Sequence, residues 1–361
     1  MTSGPQPLVV LAPFGVRTWK DRPRRYLDIH PMPPEGRAVV DEWFESDDEV
    51  TKCFHLRPRG NMTRLLTALR LVGRNRRALR EARFIYCLDG MHFSALLMLA
   101  RFGLFKARGK TIRRYCFHDS AVRRLAPMVQ RADPAFQIEC ITRQQCETGT
   151  RLLGEGRMVF RPWKIDTEWY QPDASPQNGA CLLAGNASRD ESMVDGLLAH
   201  GIAVTRAGRA DALQRRFAAQ NGNPLFKLAL NTSHPDYLML LRSSCAVLLP
   251  ILPCDEPAGL TAAMEAIVCE VPILANRSMG IAELFEACRY PLPLIDSLDP
   301  DAWAATLRDL EAQKASTTFR EALAASRRHL LDQFAILPEG RDWLEILAGA
   351  SSHAAAIPQL A

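Results

Sequence analysis

The chain has no apolar run near the roughly 20 residues that a membrane-spanning helix needs, so a spanning helix is not expected. Its opening, MTSGPQPLVVLAP, lacks the basic start and small-residue cleavage site of a secretory signal. The cytoplasm is the expected compartment. The ten cysteines are scattered singly with no C-x-x-C pair. Cys87, Cys116, Cys181 and Cys245 fall inside apolar, strand-like runs, where a thiol behaves as a small buried hydrophobe. Neither a disulfide framework nor a zinc site is expected. There is no internal repeat and no low-complexity tract apart from an Ala-rich tail. The arginine-rich run 64–83 in the basic N-terminal half has neither aromatic stacking platforms nor a known nucleic-acid-binding module, which argues against a nucleic-acid partner.

What is present is an alternation of short apolar runs with helical patterns over 361 residues, enough for two cores at about 100–200 residues each. Strands are expected at 8–12, 84–88, 111–117 and 137–141, and then at 180–184, 202–205, 246–249 and 271–275. Helices are expected at 64–83 and 94–102, and then at 193–200, 211–220, 235–243, 261–268, 303–313 and 317–334. Such alternation argues for parallel sheets covered by helices on both faces. Residues 21–49, rich in Pro and acidic side chains, read as a loop or lid with short elements. Charge is divided unevenly: residues 1–165 carry 30 Lys and Arg against 16 Asp and Glu, whereas residues 166–361 carry 15 against 24. Seven arginines, from Arg64 to Arg83, interrupt the apolar pattern of Leu65, Leu66, Leu69, Val72 and Leu79. That pattern suits an anionic membrane surface or an acidic substrate, and equally a solvated face on an ordinary surface helix.

The segment 250–285, PILPCDEPAGLTAAMEAIVCEVPILANRSMGIAELF, narrows the function most. The run AVLL before it has the continuous apolar signature of a buried strand, and Pro250 and Pro253 stop its ladder. Gly259, Leu260 and Thr261 then sit where the first unpaired N–H groups of a helix point outward, a turn able to hold an anion. Glu265 lies on the face of Thr261 one turn deeper, where its carboxylate can accept hydrogen bonds from ribose hydroxyls. An ordinary βαβ unit with a solvated Glu is the alternative reading of these residues.

With Asp255 and Glu256 ahead of Gly259-Leu260, Glu265-Ala266 behind, and Cys269-Glu270-Val271-Pro272 closing it, the segment resembles the donor-nucleotide motif of GT-B-type glycosyltransferases, in particular the retaining family 4 enzymes. It departs from the motif in two places: eight residues rather than seven separate Glu256 from Glu265, and Glu270 stands where Gly is usual. Further matches follow. Gly185 and Arg189 resemble the family's Gly-x-x-x-Arg segment that grips the diphosphate, and an Arg fork pairs phosphate oxygens well. Leu230-Asn231-Thr232 resembles the segment that reads the base. Gly15 stands in the place of the family's glycine loop near the donor phosphate. His118 closes an expected strand, like the family's strand-end His that faces the transferred sugar. His92 also follows a strand end, where open α/β sheets bind ligands.

The resemblance implies an α/β GT-B architecture, two doubly wound Rossmann-like domains facing each other across a cleft. It implies an acceptor-side domain at 1–168, a nucleotide-sugar domain at 169–316, helices at 317–347 returning to the first domain, and a tail at 348–361. The junction is the run Ile165 to Pro172, and the returning helices are 317–334 and 340–347. The implied activity moves a sugar from a nucleotide-diphosphate donor to an acceptor hydroxyl of a glycan, a lipid-linked or a small molecule, with retention and with neither metal nor other cofactor. His118, Glu256 and His92 are the implied catalytic residues. Gly15, Gly185, Arg189, Asn231, Asp255, Gly259, Leu260, Thr261 and Glu265 are the implied donor ligands. A peripheral position on the inner face of a membrane is compatible with the basic half. A non-catalytic sugar-nucleotide-binding protein and an epimerase of the same fold are the alternatives.

Overall fold

The computed structural model describes residues 8–12, 36–40, 61–87, 90–116, 118–173 and 179–336. The first half runs β1 (Leu8–Ala12), β2 (Gly36–Val40), α1 (Asn61–Arg74), α2 (Arg76–Glu81), β3 (Phe84–Cys87), α3 (Gly90–Arg101), β4 (Thr111–Tyr115), α4 (Asp119–Gln130), β5 (Phe136–Cys140), α5 (Arg143–Leu153) and β6 (Met158–Phe160). Its strands form one parallel sheet in the order β2-β1-β3-β4-β5-β6. The second half runs β7 (Cys181–Ala184), α6 (Ser192–Ala199), β8 (Val204–Gly208), α7 (Ala210–Arg216), β9 (Phe226–Leu230), α8 (His234–Ser243), β10 (Ala246–Leu249), α9 (Leu260–Val268), β11 (Ile273–Ala275), α10 (Ile281–Cys288), α11 (Pro300–Lys314) and α12 (Thr317–Phe334). These strands form a second parallel sheet, β11-β10-β7-β8-β9.

Each sheet reverses its strand order once, between β1 and β3 in the first and between β7 and β10 in the second. Ligands of open α/β sheets bind beyond the strand ends at such switch points. The central strands β3, β7 and β10 are buried at every residue, as continuous apolar runs covered on both faces must be. Edge strand β9 instead is fully buried only at Ala229 and exposes Lys227. A core cluster joins Tyr86, Tyr115, Ile165 and Tyr170 to Leu182, Ala184, Leu249 and Met264, so apolar packing runs across both halves. The end of α12 returns to the junction: Ile165 N donates to Phe334 O (2.8 Å) and Ile336 N to Ile165 O (2.9 Å).

Several expectations need correction. Within 21–49, the segment GRAVV is a strand that pairs with β1 along its whole length. Helices α4 and α5 and strand β6 went unread. In α4, Pro127 masks an apolar stripe of Val122, Leu125, Ala126 and Val129. In α5 the polar run RQQCETGT hides a helix capped by Thr142, whose side chain accepts from Gln145 N at 3.1 Å. Helix α3 starts at Gly90 rather than at 94, and β8 is shifted to 204–208. The arginine-rich segment is two helices whose apolar stripe goes into the core except at Leu66, which is exposed: Ala68, Val72 and Leu79 are buried, with Leu65 and Leu69 packed beside them. The buried part of that stripe is therefore not free to lie in a lipid surface. Gly15 and the segment 340–347 lie outside the described residues.

Candidate active site

The loops leaving β7 and β10 pair with each other at the switch point. Asp190 N donates to Pro250 O (2.8 Å) and Leu252 N to Ser188 O (2.8 Å), and Arg189 bridges antiparallel to Ile251. Asn276, just past β11, clamps the same Ile251, accepting from its N–H at 2.7 Å and donating to its carbonyl at 2.9 Å. Arg189 is thereby held between two turns. Its Nε donates to Ala184 O (2.7 Å) and its Nη1 to Ala187 O (2.7 Å). Only 7% of its surface is exposed. No carboxylate lies within ion-pair distance of it among the described residues. Burial pulls the guanidinium down to about 10, and the neighbouring Arg206 cation adds to the effect. Arg206 itself is neutralised by Glu191, which takes both its Nε (2.8 Å) and Nη2 (2.6 Å).

The two turns need glycine. Gly185 has φ 95°, and a Cβ there would stand 2.5 Å from Arg189 Nη2. Gly259, with φ 84°, is the left-handed residue before α9; a Cβ there would lie 3.1 Å from Ile251 and 3.7 Å from Arg189 Nη1. Helix α9 has no side-chain cap and no acid in its first turn. A buried cation without a counter-ion beside a bare helix start is an arrangement that an anion completes.

Glu265 is the one charged residue of α9, whose neighbours from Ala262 to Val268 are all buried. Both its oxygens are engaged, Oε1 accepting from Tyr170 OH (2.7 Å) and Oε2 from Tyr237 OH (2.9 Å). Burial first, then the carboxylate's charge, pushes both phenols up. Neither tyrosine was singled out in the sequence. The signal that could have found them is physical: a carboxylate in an otherwise apolar helix must have donors, and Tyr170 lies in the junction segment itself.

The third group forms where the halves meet. His118 precedes α4 with extended backbone (φ −105°). Its Nδ1 is 3.5 Å from Asp255 Oδ1 and 3.6 Å from Glu256 Oε2. Asp255 also closes the α4 start, its carbonyl accepting from Asp119 N (3.0 Å) and its Oδ2 from Ser120 N (3.2 Å). The Ser120 hydrogen bond, with His118 adding, holds the Asp255 carboxyl below its ordinary range. A second carboxylate does the same for α5: Glu283 of α10 accepts from Arg143 N (2.7 Å) and Gln144 N (2.9 Å).

Of the residues expected at the site, His118, Asp255 and Glu256 thus come together, as do Gly185, Arg189 and Gly259. Leu260 is buried at the start of α9 and Thr261 is exposed beside it. His92 lies in the first turn of α3, buried in the first half. Asn231 ends β9, exposed and left-handed (φ 49°), two strands away from β7. The chain's Asp-x-Asp triplet, Asp299-Pro300-Asp301, is a helix cap: Asp299 accepts from Asp301 N at the start of α11, and Asp301 pairs with His200. No cluster of three or more potential metal ligands occurs among the described residues.

No protein-family model matches the sequence, and no curated protein matches it in sequence. Solved structures do resemble it in fold. HepE of Anabaena, crystallised with UDP-glucose, is 12% identical with a TM-score of 0.67, the match covering 95% of this chain and 99% of that one. Sucrose-phosphate synthase of Thermosynechococcus elongatus is 13% identical with a TM-score of 0.67, covering 96% and 99%. A glycosyltransferase of Rickettsia africae is 9% identical with a TM-score of 0.65, covering 95% and 98%. Matches this complete at such low identity carry architecture rather than chemistry, and they agree with the two facing parallel sheets: the chain has the GT-B fold of these glycosyltransferases.

Proposed function

We propose that the cleft transfers a sugar from a nucleotide-diphosphate donor to an acceptor hydroxyl. The observation that carries this reading is Arg189: a buried guanidinium with no carboxylate partner among the described residues, walled by two glycine turns and facing the uncapped start of α9. A diphosphate supplies the missing charge, and it gains further charge as it leaves, when fixed donors stabilise it most. In this reading the Glu265 carboxylate, set one turn into α9, accepts from ribose hydroxyls. His118, held by Asp255 and Glu256, faces the transferred sugar. Retention of configuration and independence of metal follow from the resemblance to family 4 and are part of the proposal. UDP is the first nucleotide to test, because the HepE structure contains UDP-glucose.

The experiment is a thermal-shift panel with UDP, ADP and GDP on the wild type and on Glu265→Gln and Arg189→Lys. One nucleotide is expected to raise the melting temperature, and both variants to reduce that rise. Absence of a shift with all three overturns the donor reading. Slow donor hydrolysis by the wild type, lost in His118→Ala with nucleotide binding retained, separates an enzyme from a non-catalytic binder.

A further inference from the structure

We propose that the edge of the first sheet formed by the N-terminal ends of its strands, opposite the cleft, docks on an anionic lipid surface, with Phe102 and Leu104 entering the lipid and a surrounding set of Arg and Lys side chains resting on the headgroups. This surface is independent of the sugar-transfer reading. Phe102 and Leu104 are 69% and 70% exposed, the two most exposed large apolar side chains among the described residues. They are not frayed ends. The turn that carries them is closed by Phe102 N to Met98 O (3.1 Å), Gly103 N to Ala100 O (3.1 Å) and Leu104 N to Leu99 O (2.8 Å), and Phe105 and Ala107 anchor it in the core. A hydrogen-bonded turn that holds two large apolar groups outward needs a partner to cover them.

The charge around the turn says which partner. Arg101, Lys106 and Arg108 flank it, all exposed. Arg80 and Arg83, both exposed, lie at the same edge, because Lys110 Nζ donates to Arg80 O (2.6 Å) and Thr111 N to Arg83 O (2.8 Å). Among the described residues from 70 to 110 the sole acid is Glu81, already paired with Arg77. Apolar tips ringed by cations suit an anionic bilayer. A nucleic acid would use the cations and leave the tips bare. The five residues of β4, about 16 Å of strand, separate this edge from the His118 end, so docking leaves the cleft facing away from the membrane.

The test is sedimentation of the full chain with phosphatidylcholine vesicles, with and without phosphatidylserine, at low and high salt. Binding is expected with phosphatidylserine only, weakening as salt rises. Phe102→Ser with Leu104→Ser should weaken it at least about tenfold, and Arg101→Ala with Arg108→Ala about 25-fold, at about fivefold per cation. All four positions are exposed, so melting temperatures should not move. Equal binding to neutral vesicles, unchanged binding after the serine substitutions, or capture by RNA with no binding to either vesicle would each overturn the proposal.

Discussion

Arg189 and Glu265 are both buried charges, but their surroundings predict opposite behaviour on substitution. Glu265 is paired by two phenols, so Glu265→Ala strands two buried hydroxyls, each costing about 1–3 kcal/mol. A stability loss of roughly 2–6 kcal/mol is expected in urea unfolding; this is why the Gln variant, which keeps an acceptor in place, is the sounder probe of binding. Tyr237→Phe removes one donor and should cost only about 1 kcal/mol. Arg189 has no countercharge to strand among the described residues. Arg189→Lys keeps the charge but lacks the fork that reaches Ala184, Ala187 and a ligand together. Nucleotide affinity by calorimetry should fall about tenfold or more, matching the roughly 1.5–3 kcal/mol of a hydrogen bond to a charged group. Equal affinity in the Lys variant would remove Arg189 from the site.

At the scale of elements, what positions Arg189 is a pair of turns that only glycine makes without strain. Gly259→Ala places a side chain at φ 84° and against Ile251. It should cost about 1–2 kcal/mol of stability and move the α9 start. Gly185→Ala meets the guanidinium itself, so it should reduce nucleotide affinity out of proportion to its effect on the melting temperature. A purely structural role for Gly185 would show the two falling together. Gly185, Arg189, His118 and the Asp255-Glu256 pair were singled out by the resemblance of their segments to the family 4 motifs, whereas Gly259 was legible from its turn chemistry, which leaves a local mark. The buried strands β3, β7 and β10 were legible for the same reason, as short apolar runs. Tyr170 and Tyr237 were not, since their role exists only through Glu265, 95 and 28 residues away. Helices α4 and α5 were hidden by Pro127 and by a polar composition that only tertiary packing overrides. The basic amphipathic segment showed its period but not its partner: the stripe that reads as free faces the core.

At the scale of the whole molecule, the two halves are fastened by carboxylates of the second at helix starts of the first. Asp255 satisfies amides of α4 and Glu283 those of α5, while Gly280, beside Glu283, lies so close to Thr142 that a Cβ there would come within 3.1 Å of it. Both contacts break if the halves separate, so they bias the molecule toward the closed cleft and cost nothing within either half. Glu283→Ala should remove about 1 kcal/mol of capping energy, shifting the closed-to-open ratio about fivefold. The melting of each half should change little, and the radius of gyration by small-angle scattering should rise. Acidity acts in the same direction. The Asp255 carboxyl is held below its unfolded value, so its contribution is fully present above the ordinary carboxylate range, near pH 4, and is lost as the pH falls through the depressed value. The cleft should therefore stay closed at neutral pH and begin to open only in acid, while Asp255→Asn, which cannot titrate, loses this part of the response. A radius independent of both Glu283→Ala and pH would mean that the shared apolar cluster around Ile165 and Tyr170 holds the halves together by itself.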